Sequence, residues 1–256
     1  MKNLIVITLL LIHGCLSLKA QNVRFPLAGV IEFEKSINMY ALLKKAADQS
    51  TDNYMRDAFD NFKKNNPQFK TLQSTLTFST DKTLFIPIAP PESSRGFFNA
   101  PIAEQPNTIF TDFSTGIATA QKKVYEETFL LKDSIRKINW KLTTEVRTIA
   151  GYECRRANAI ILDSVYVVAF YTDKIPVSGG PESFTGLPGM ILGVALPHEN
   201  ITWFAKTVTD KTIPATDFKV PVKGKSVDYK GLRTTINAAL KDWGNYAKEA
   251  LKAFLL

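Results

Sequence analysis

The run YECRRANAIILDSVYVVAFYT, residues 152–172, places two apolar strand patterns on either side of the short turn Asp163-Ser164. Strands joined by so short a turn pair as antiparallel neighbours, because parallel strands need a long crossover connection. Similar strand patterns recur upstream, separated by the short turns Ser114-Thr115-Gly116, Lys132-Asp133-Ser134 and Ala150-Gly151. The sequence therefore predicts an antiparallel meander from residue 107 to residue 172.

More strands are predicted on both sides of this meander. Residues 29–35 alternate apolar and polar side chains, and residues 71–79 and 83–86 have the same character. Residues 190–196 and 201–209 have the composition of two further strands. A sheet of this many antiparallel strands twists and curls, so we expect a half-barrel or bowl with a concave face.

Two segments have the apolar periodicity of helices. Residues 40–65 predict an N-terminal helical insertion, which Thr51-Asp52-Asn53 divides in two. Residues 228–254 predict one C-terminal amphipathic helix, and its apolar stripe, which includes Trp243, is expected to pack on the sheet. The predicted fold class is therefore α+β, mainly antiparallel β, with residues 21–256 as a single domain.

The N-terminal residues have the layout of a secretory signal peptide. Lys2 precedes an apolar run over residues 4–12, and the small residue Ala20 follows. We expect residues 1–20 to be removed and the protein to be periplasmic, associated with the outer membrane, or secreted. The alternative is a lipoprotein lipidated at Cys15. No other stretch of the sequence is long and apolar enough to cross a bilayer.

Charge and cysteine usage narrow the functional classes. Removal of the two lysines among residues 1–20 lowers the formal net charge from +8 to +6. This mild excess is typical of a solvated basic surface, and no zinc-finger, RNP or helix-turn-helix pattern supports nucleic-acid binding. Cys154 would be the one remaining cysteine, which excludes an internal disulfide. We interpret Cys154 as a small buried hydrophobe, since it lies in a strand pattern.

A loop rich in glycine and proline, IPVSGGPESFTGLPGM at residues 175–190, precedes the last two predicted long strands. Leu187-Pro188-Gly189-Met190 fits a type II turn, because proline presets the first central position and glycine suits the second. The loop does not have the Lys-Ser/Thr pair of a phosphate loop. We predict a rigid plug, defined by Gly180, Pro181, Gly186, Leu187, Pro188 and Gly189.

The segment FTGLPGMILGV, residues 184–194, resembles the signature of the GLPGLI family, with Met190-Ile191 in place of the final Leu-Ile. Residues 140–142, 149–157 and 169–172 also resemble the family, although Phe170 stands where a tryptophan is expected. The resemblance implies an exported protein of the Gram-negative envelope, in a family without an established activity or assigned catalytic residues. A bowl-shaped accessory domain at the front of some bacterial glycoprotein-deglycosylating enzymes is similar.

Candidate catalytic groups are sparse. His198 is the only histidine after the predicted signal peptide, and it lies in a predicted turn, a poor position for a triad. One histidine and one cysteine, remote in sequence, do not make a zinc or copper site, and EF-hand spacing is missing. Of the two carboxylate pairs, we interpret Glu32 and Glu34 as strand-face residues that point to solvent, and Asp173 and Glu182 as loop acids that cap turns. No catalytic residue, metal site or cofactor is predicted.

Three functions remain open at this point. The favoured one is a non-catalytic protein that binds a hydrophobic ligand or a peptide in the concave sheet. A helix that completely fills the concavity would contradict it. The second is an accessory or docking module for an outer-membrane protein, through the plug and Phe97-Phe98. The third is a hydrolase acting on a polymer. Candidate ligand-binding residues are Tyr152, Phe170, Tyr171, Phe184 and Trp203.

Overall fold

The computed structural model describes residues 25–49, 53–90, 100–104 and 106–256. Within these ranges the strands are β1 Gly29–Asn38, β2 Phe69–Phe78, β3 Lys82–Pro87, β4 Thr108–Asp112, β5 Ile117–Val124, β6 Glu127–Ser134, β7 Lys141–Ile149, β8 Tyr152–Ile161, β9 Val165–Thr172, β10 Met190–Leu196, β11 Ile201–Asp210 and β12 Lys225–Val227. The helices are α1 Met39–Gln49, α2 Asn53–Asn65, α3 Pro101–Glu104, α4 Tyr229–Ala239 and α5 Gly244–Leu255. The predicted signal peptide, Cys15 and Phe97-Phe98 lie outside the described residues.

All these strands belong to one mainly antiparallel sheet, as the sequence predicts. Its order is β12-β6-β5-β4-β3-β2-β1-β11-β10-β9-β8-β7. The short strand β12 is the exception, since it pairs in parallel with β6. Pairing of β1 with β11 joins a meander of β1 to β6 with a second meander of β7 to β11. The structure therefore supports an α+β fold dominated by an antiparallel sheet.

The prediction of one continuous meander from residue 107 to residue 172 is wrong. β6 and β7 follow one another in the chain but lie toward opposite edges of the sheet. Residues 135–140 connect them without strand pairing of their own, and their side chains contact the plug and α5 instead. The indole Nε1 of Trp140 donates to the Thr185 carbonyl at 2.9 Å, and Arg136 Nη2 donates to the Leu255 carbonyl.

The helical insertion is confirmed, whereas the C-terminal helix differs from the prediction. α4 ends before Leu240, and Gly244, with φ +54°, begins α5. Trp243 lies in this break and is 56% exposed, so its predicted place on the buried stripe is wrong. Apolar periodicity alone does not register such a break, because the stripe resumes on the far side. Both helices pack over the β5–β6 end of the sheet through a small cluster of buried residues.

The plug packs against the face of the sheet that carries Ile31 and Phe33, which we call the inner face. Phe184 and Leu187 are buried with the inward side chains of β1, such as Phe33. The main chain approaches the strands closely, and Ile191 N donates to the Gly179 carbonyl at 2.8 Å. A loop thus covers part of this face of the sheet.

The type II turn predicted at residues 187–190 is wrong. Gly189 N donates to the Leu187 carbonyl at 2.8 Å, which closes a three-residue γ-turn around Pro188. The amide of Met190, which would close a type II turn, donates to the Ile175 carbonyl at 2.9 Å. Gly189 has φ +144°, which only glycine adopts readily. The next residue, Met190, is the first residue of β10.

Candidate functional site

Lys35 is a buried cation on the inner face of the sheet. Strand alternation in β1 puts it on the same side as Ile31 and Phe33, and only 6% of its surface is exposed. Its cross-strand partner in β11 is Trp203, and Lys35 Nζ lies 5.1 Å from the centroid of that ring. Lys35 Nζ also donates to the Ile102 carbonyl at 2.9 Å. The ammonium group therefore has both an aromatic and a hydrogen-bond partner.

Glu182 brings a carboxylate from the plug to the same region. Its φ of +53° is uncommon for a residue other than glycine, and Phe184 N donates to the Pro181 carbonyl at 3.2 Å to close the turn around it. Glu182 is buried, and its Oε2 accepts from Asn107 Nδ2 at 2.9 Å. The interpretation of Glu182 as an acid that caps a turn is wrong, because its side chain is buried and accepts from Asn107 instead.

The buried charges influence one another's pKa. Burial lowers the pKa of Lys35 to about 8, and the nearby Glu182 carboxylate opposes this shift. Burial raises the pKa of Glu182, while Lys35, the Asn107 hydrogen bond and Lys122 act in the opposite direction. Glu182 is thus the shared counter-charge of two buried lysines, one on β1 and one on β5.

A cavity of about 280 Å³ opens beside these groups, and we name it the Lys35 pocket. Its polar floor consists of Lys35, Ser74, Glu182 and Trp203, and the ion pair of Lys70 with Glu104, at 2.6 Å, lines it as well. Its apolar walls are Leu72, Phe85, Pro87, Ile88, Ala89, Pro90 and Pro106. Two lysines and two glutamates balance in charge, which suits a ligand without net charge.

Ser74 Oγ is the one unsatisfied group on this floor within the described residues. Ser74 is 4% exposed, and its hydroxyl has no hydrogen-bond partner there. Buried hydroxyl groups in folded proteins are normally hydrogen-bonded, because desolvation without a partner costs free energy. The pocket therefore offers an apolar surface with one unfilled hydrogen-bonding position.

The structure brings together two of the five predicted ligand-binding residues. Trp203 lines the Lys35 pocket, and Phe184 packs behind it with 6.1 Å between the ring centroids. Tyr152, Phe170 and Tyr171 do not line this pocket. Phe170 and Tyr171 are buried in β9, and Tyr152 is half-buried at the start of β8. Of the six plug residues, Gly180, Pro181, Leu187 and Gly189 are buried, whereas Gly186 and Pro188 are exposed.

Sequence reasoning missed Lys35, Ser74 and Lys122, although a usable signal was present. Each occupies an inward position in a strand whose neighbours two residues away are apolar or small. A polar residue on the apolar face of a strand is the informative exception. The prediction for Cys154 is confirmed, since it is buried and burial raises the pKa of its thiol to about 12.

The remaining candidates give no second centre. His198 lies in a short 3₁₀ turn, with its ring centroid 6.1 Å from that of Tyr166. Within the described ranges, no group of three or more His, Cys, Asp or Glu side chains is placed to hold a metal ion. None of the helices in these ranges has the length and apolarity of a membrane span.

Comparison with known proteins finds a family model that matches a short part of this region. A family model described as a protein of unknown function (Porph_ging) matches residues 161–193, which run from the end of β8 through the plug into β10. No curated protein matches the chain. The match covers less than half of the chain and brings no assigned activity.

Solved structures of PNGF-II resemble the fold. PNGF-II in the C2 space group superposes with a TM-score of 0.50 and 14% identity, covering 88% of this chain and 33% of that one. PNGF-II in the P21 space group gives a TM-score of 0.48 and 16% identity, covering 78% and 31%. The chain thus spans about a third of the length of PNGF-II. At this identity the likeness concerns the fold alone.

Proposed function

We propose that the protein is a non-catalytic binding protein whose Lys35 pocket holds a small, mainly apolar molecule with one hydrogen-bonding group. The observation that carries this proposal is the unsatisfied Ser74 hydroxyl on the floor of an apolar-walled cavity. A ligand that hydrogen-bonds Ser74 would relieve the cost of its burial, and contact with the walls would supply the hydrophobic contribution.

Size and charge refine the class of ligand. A cavity of about 280 Å³ lies near the lower end of ligand pockets, which favours one small molecule over a peptide. The pocket's two lysines and two glutamates leave no net charge to be matched by the ligand. An uncharged molecule with a hydroxyl, carbonyl or amine group fits this lining best.

Binding fits the arrangement better than catalysis does. A lysine with a lowered pKa is a usual nucleophile or base, but Lys35 Nζ is engaged by the Ile102 carbonyl and the Trp203 ring. Of the two glutamates in the pocket, Glu182 accepts from Asn107 and Glu104 pairs with Lys70. Hydrolysis of a polymer therefore remains a lesser alternative, with both carboxylates held in structural contacts.

We further propose that the chain is an exported envelope protein of the GLPGLI type. The layout of residues 1–20 supports export, with cleavage after Ala20 and lipidation at Cys15 as the alternative. The GLPGM sequence, residues 186–190, lies inside the matched segment and supports the family assignment. Docking to an outer-membrane protein is the alternative function, but most of the plug is buried.

Blocking the mouth of the Lys35 pocket tests the proposal. Ala89 is exposed at the mouth, so Ala89→Trp adds bulk there without disturbing the core. Ile86→Trp is the matched control, because Ile86 is 39% exposed and does not line the pocket. We expect Ala89→Trp to weaken the binding of the fluorescent probe N-phenylnaphthylamine about tenfold or more, a loss of about 1.4 kcal/mol, and Ile86→Trp to leave it unchanged.

Two further measurements complete this test. Ser74→Ala removes only the hydroxyl and adds no bulk, so it should weaken binding of this amine-bearing probe while the fold persists. Native mass spectrometry of the protein from its own host should show an excess mass that denaturation removes. Equal probe affinity in Ala89→Trp and the wild type would contradict the proposal.

A further inference from the structure

A second cavity, of about 650 Å³, lies beside the inner face of β5 and β6 and is also lined by residues 135–139, the β8–β9 turn and α4. We name it the Lys122 cavity. Alternation in β5 puts Lys122 on the inward side with Ala120 and Val124, and 3% of its surface is exposed. Lys122 Nζ has no hydrogen-bond partner among the described residues. A buried ammonium group with three unused donors lines this cavity.

Arg136 places a second cation in the same lining. Its Nη2 donates to the Leu255 carbonyl, and its guanidinium lies 5.5 Å from the centroid of the Tyr229 ring. Arg136 Nη1 is shielded from solvent and has no hydrogen-bond partner within the described ranges. The guanidinium therefore has contacts on two sides, and the two N–H donors of its Nη1 have no partner among the described residues.

The acceptors around the cavity are already used by other donors. Asp133 Oδ2 accepts from Tyr229 N at 2.9 Å, and its Oδ1 accepts from Ser134 N at 2.7 Å. Asp163 pairs with Arg233 at 3.9 Å. The Leu256 oxygen accepts from Ser183 Oγ at 2.7 Å. None of these contacts involves Lys122 Nζ or Arg136 Nη1.

The buried carboxylates are already shared or paired with other cations. Glu182 acts as a counter-charge to both Lys35 and Lys122, and Glu199, a second buried carboxylate among the described residues, pairs with Lys252 at 3.7 Å. Burial lowers the pKa of Lys122 to about 8, which still leaves the ammonium form dominant at neutral pH. Within the described residues, neither Lys122 Nζ nor Arg136 Nη1 has a hydrogen-bonded counter-charge, and buried charges are normally paired.

We propose that the Lys122 cavity binds the phosphate group of an organic phosphomonoester, held between Lys122 Nζ and Arg136 Nη1. A phosphate dianion supplies the negative charge that these two cations lack in direct contact, and its oxygens accept hydrogen bonds from ammonium and guanidinium donors alike. The cavity is much larger than a phosphate group and has apolar walls at Ile109, Ile138 and Ile160, which suit an organic body. This site is distinct from the Lys35 pocket, whose charges balance.

The test compares two neighbouring lysines by titration calorimetry at neutral pH and physiological ionic strength. Lys122→Met removes the buried cation and keeps its length, whereas Lys123→Met removes the same charge from the exposed side of β5. With phenyl phosphate as the probe, we expect Lys122→Met to bind about tenfold more weakly or worse, and Lys123→Met to bind like the wild type. Inorganic phosphate should bind more weakly than phenyl phosphate and show the same dependence.

Vesicles identify the source of the phosphate. Phosphatidylcholine vesicles with and without phosphatidic acid test a lipid headgroup, again with both variants. Binding that depends on Lys122 supports the proposal. The ligand is a soluble ester if phenyl phosphate binds, and a lipid if only phosphatidic acid binds. Absence of binding to all probes, or equal loss in both variants, would overturn it. If Lys122→Met loses phosphate binding but binds N-phenylnaphthylamine like the wild type, the Lys122 cavity and the Lys35 pocket are independent sites.

Discussion

At the scale of single residues, the most consequential feature is Lys122, a lysine buried without a hydrogen-bond partner in the described part of the chain. Lys122 lies 3% exposed in β5, and the charge on Arg136 adds to its unfavourable position. A group whose burial disfavours its charged form lowers the stability of the empty protein. Such a residue is retained where function requires it, as in other sites that trade stability for activity.

Because burial of the Lys122 ammonium group is unfavourable, replacing Lys122 by an apolar residue should stabilise the folded protein. Burial lowers its pKa from 10.5 to about 8, so between these pH values the unfolded chain binds more protons than the folded one. The penalty is complete below pH of about 8 and is relieved as the pH rises towards 10.5. We expect Lys122→Met to raise the free energy of unfolding by about 1–3 kcal/mol at neutral pH, and by less at high pH.

Urea denaturation in phosphate-free buffer, at neutral pH and near pH 10.5, measures the difference in unfolding free energy between Lys122→Met and the wild type. Lys123→Met serves as the control, because Lys123 is exposed on the same strand. Its unfolding free energy should stay within about 0.5 kcal/mol of the wild type. A Lys122→Met protein less stable than the wild type at neutral pH would show that Lys122 is already compensated in the folded chain.

Sequence reasoning reached the elements that hold these residues but not their chemistry. The alternation of β1 predicts that Lys35 shares a face with Ile31 and Phe33. Its counter-charge, Glu182, comes from a loop far away in the chain, and the turn that buries this carboxylate needs a left-handed residue that composition does not reveal. Burial of a charge depends on both partners, so the pair emerged only in the folded structure.

At the scale of elements, the plug is fixed by close contacts of its main chain. A Cβ atom at Gly189 would lie 2.1 Å from the Thr172 carbonyl oxygen, and the φ of this residue is +144°. A Cβ atom at Gly180 would lie 2.7 Å from the Phe184 carbonyl oxygen. The glycines thus allow the loop to pack on the strands, as a stiff connection and not a hinge.

Substitution at Gly189 should separate steric contact from backbone strain. Gly189→Ala introduces both the steric contact with Thr172 and the backbone strain. We therefore expect the free energy of unfolding to fall by at least about 3 kcal/mol. Gly116→Ala is the control for a positive φ without a steric contact, because Gly116 has φ +70° and no atom lies within 4 Å of the added Cβ. It should lose only about 1–2 kcal/mol. Thermal or urea unfolding measures both, and equal losses would mean that the Thr172 contact relaxes freely.

The positions of most strands could be predicted from the sequence, but their order in the sheet could not. Alternation along a strand is local, so the positions of β8, β9, β10 and β11 followed from the sequence. The order of strands in the sheet depends on long-range pairing, so the separation of β6 from β7 did not. Short β12 was missed because three residues carry too little periodicity.

At the scale of the whole molecule, the core divides into two unequal parts. The larger cluster joins the inner faces of β1, β2 and β9 to β11 with the plug. The smaller cluster joins the β5–β6 end of the sheet to α4 and α5, and its buried members are Val124, Phe129, Leu232, Ile236, Leu240, Ala250, Phe254 and Leu255. Regions with less buried apolar surface open locally at lower free energy.

This division predicts local rather than global loosening when the smaller cluster is weakened. Leu232 is completely buried in α4, and Leu232→Ala should cost about 2–5 kcal/mol locally. Amide hydrogen exchange in α4 and α5 should therefore accelerate about tenfold or more, while exchange in β9 to β11 stays unchanged. Leu192→Ala, in the larger cluster, is the control and should accelerate exchange across the sheet. If Leu232→Ala accelerates β9 to β11 as much as α4, the two clusters unfold together, and the Lys122 cavity, which α4 lines, opens only when the whole domain does.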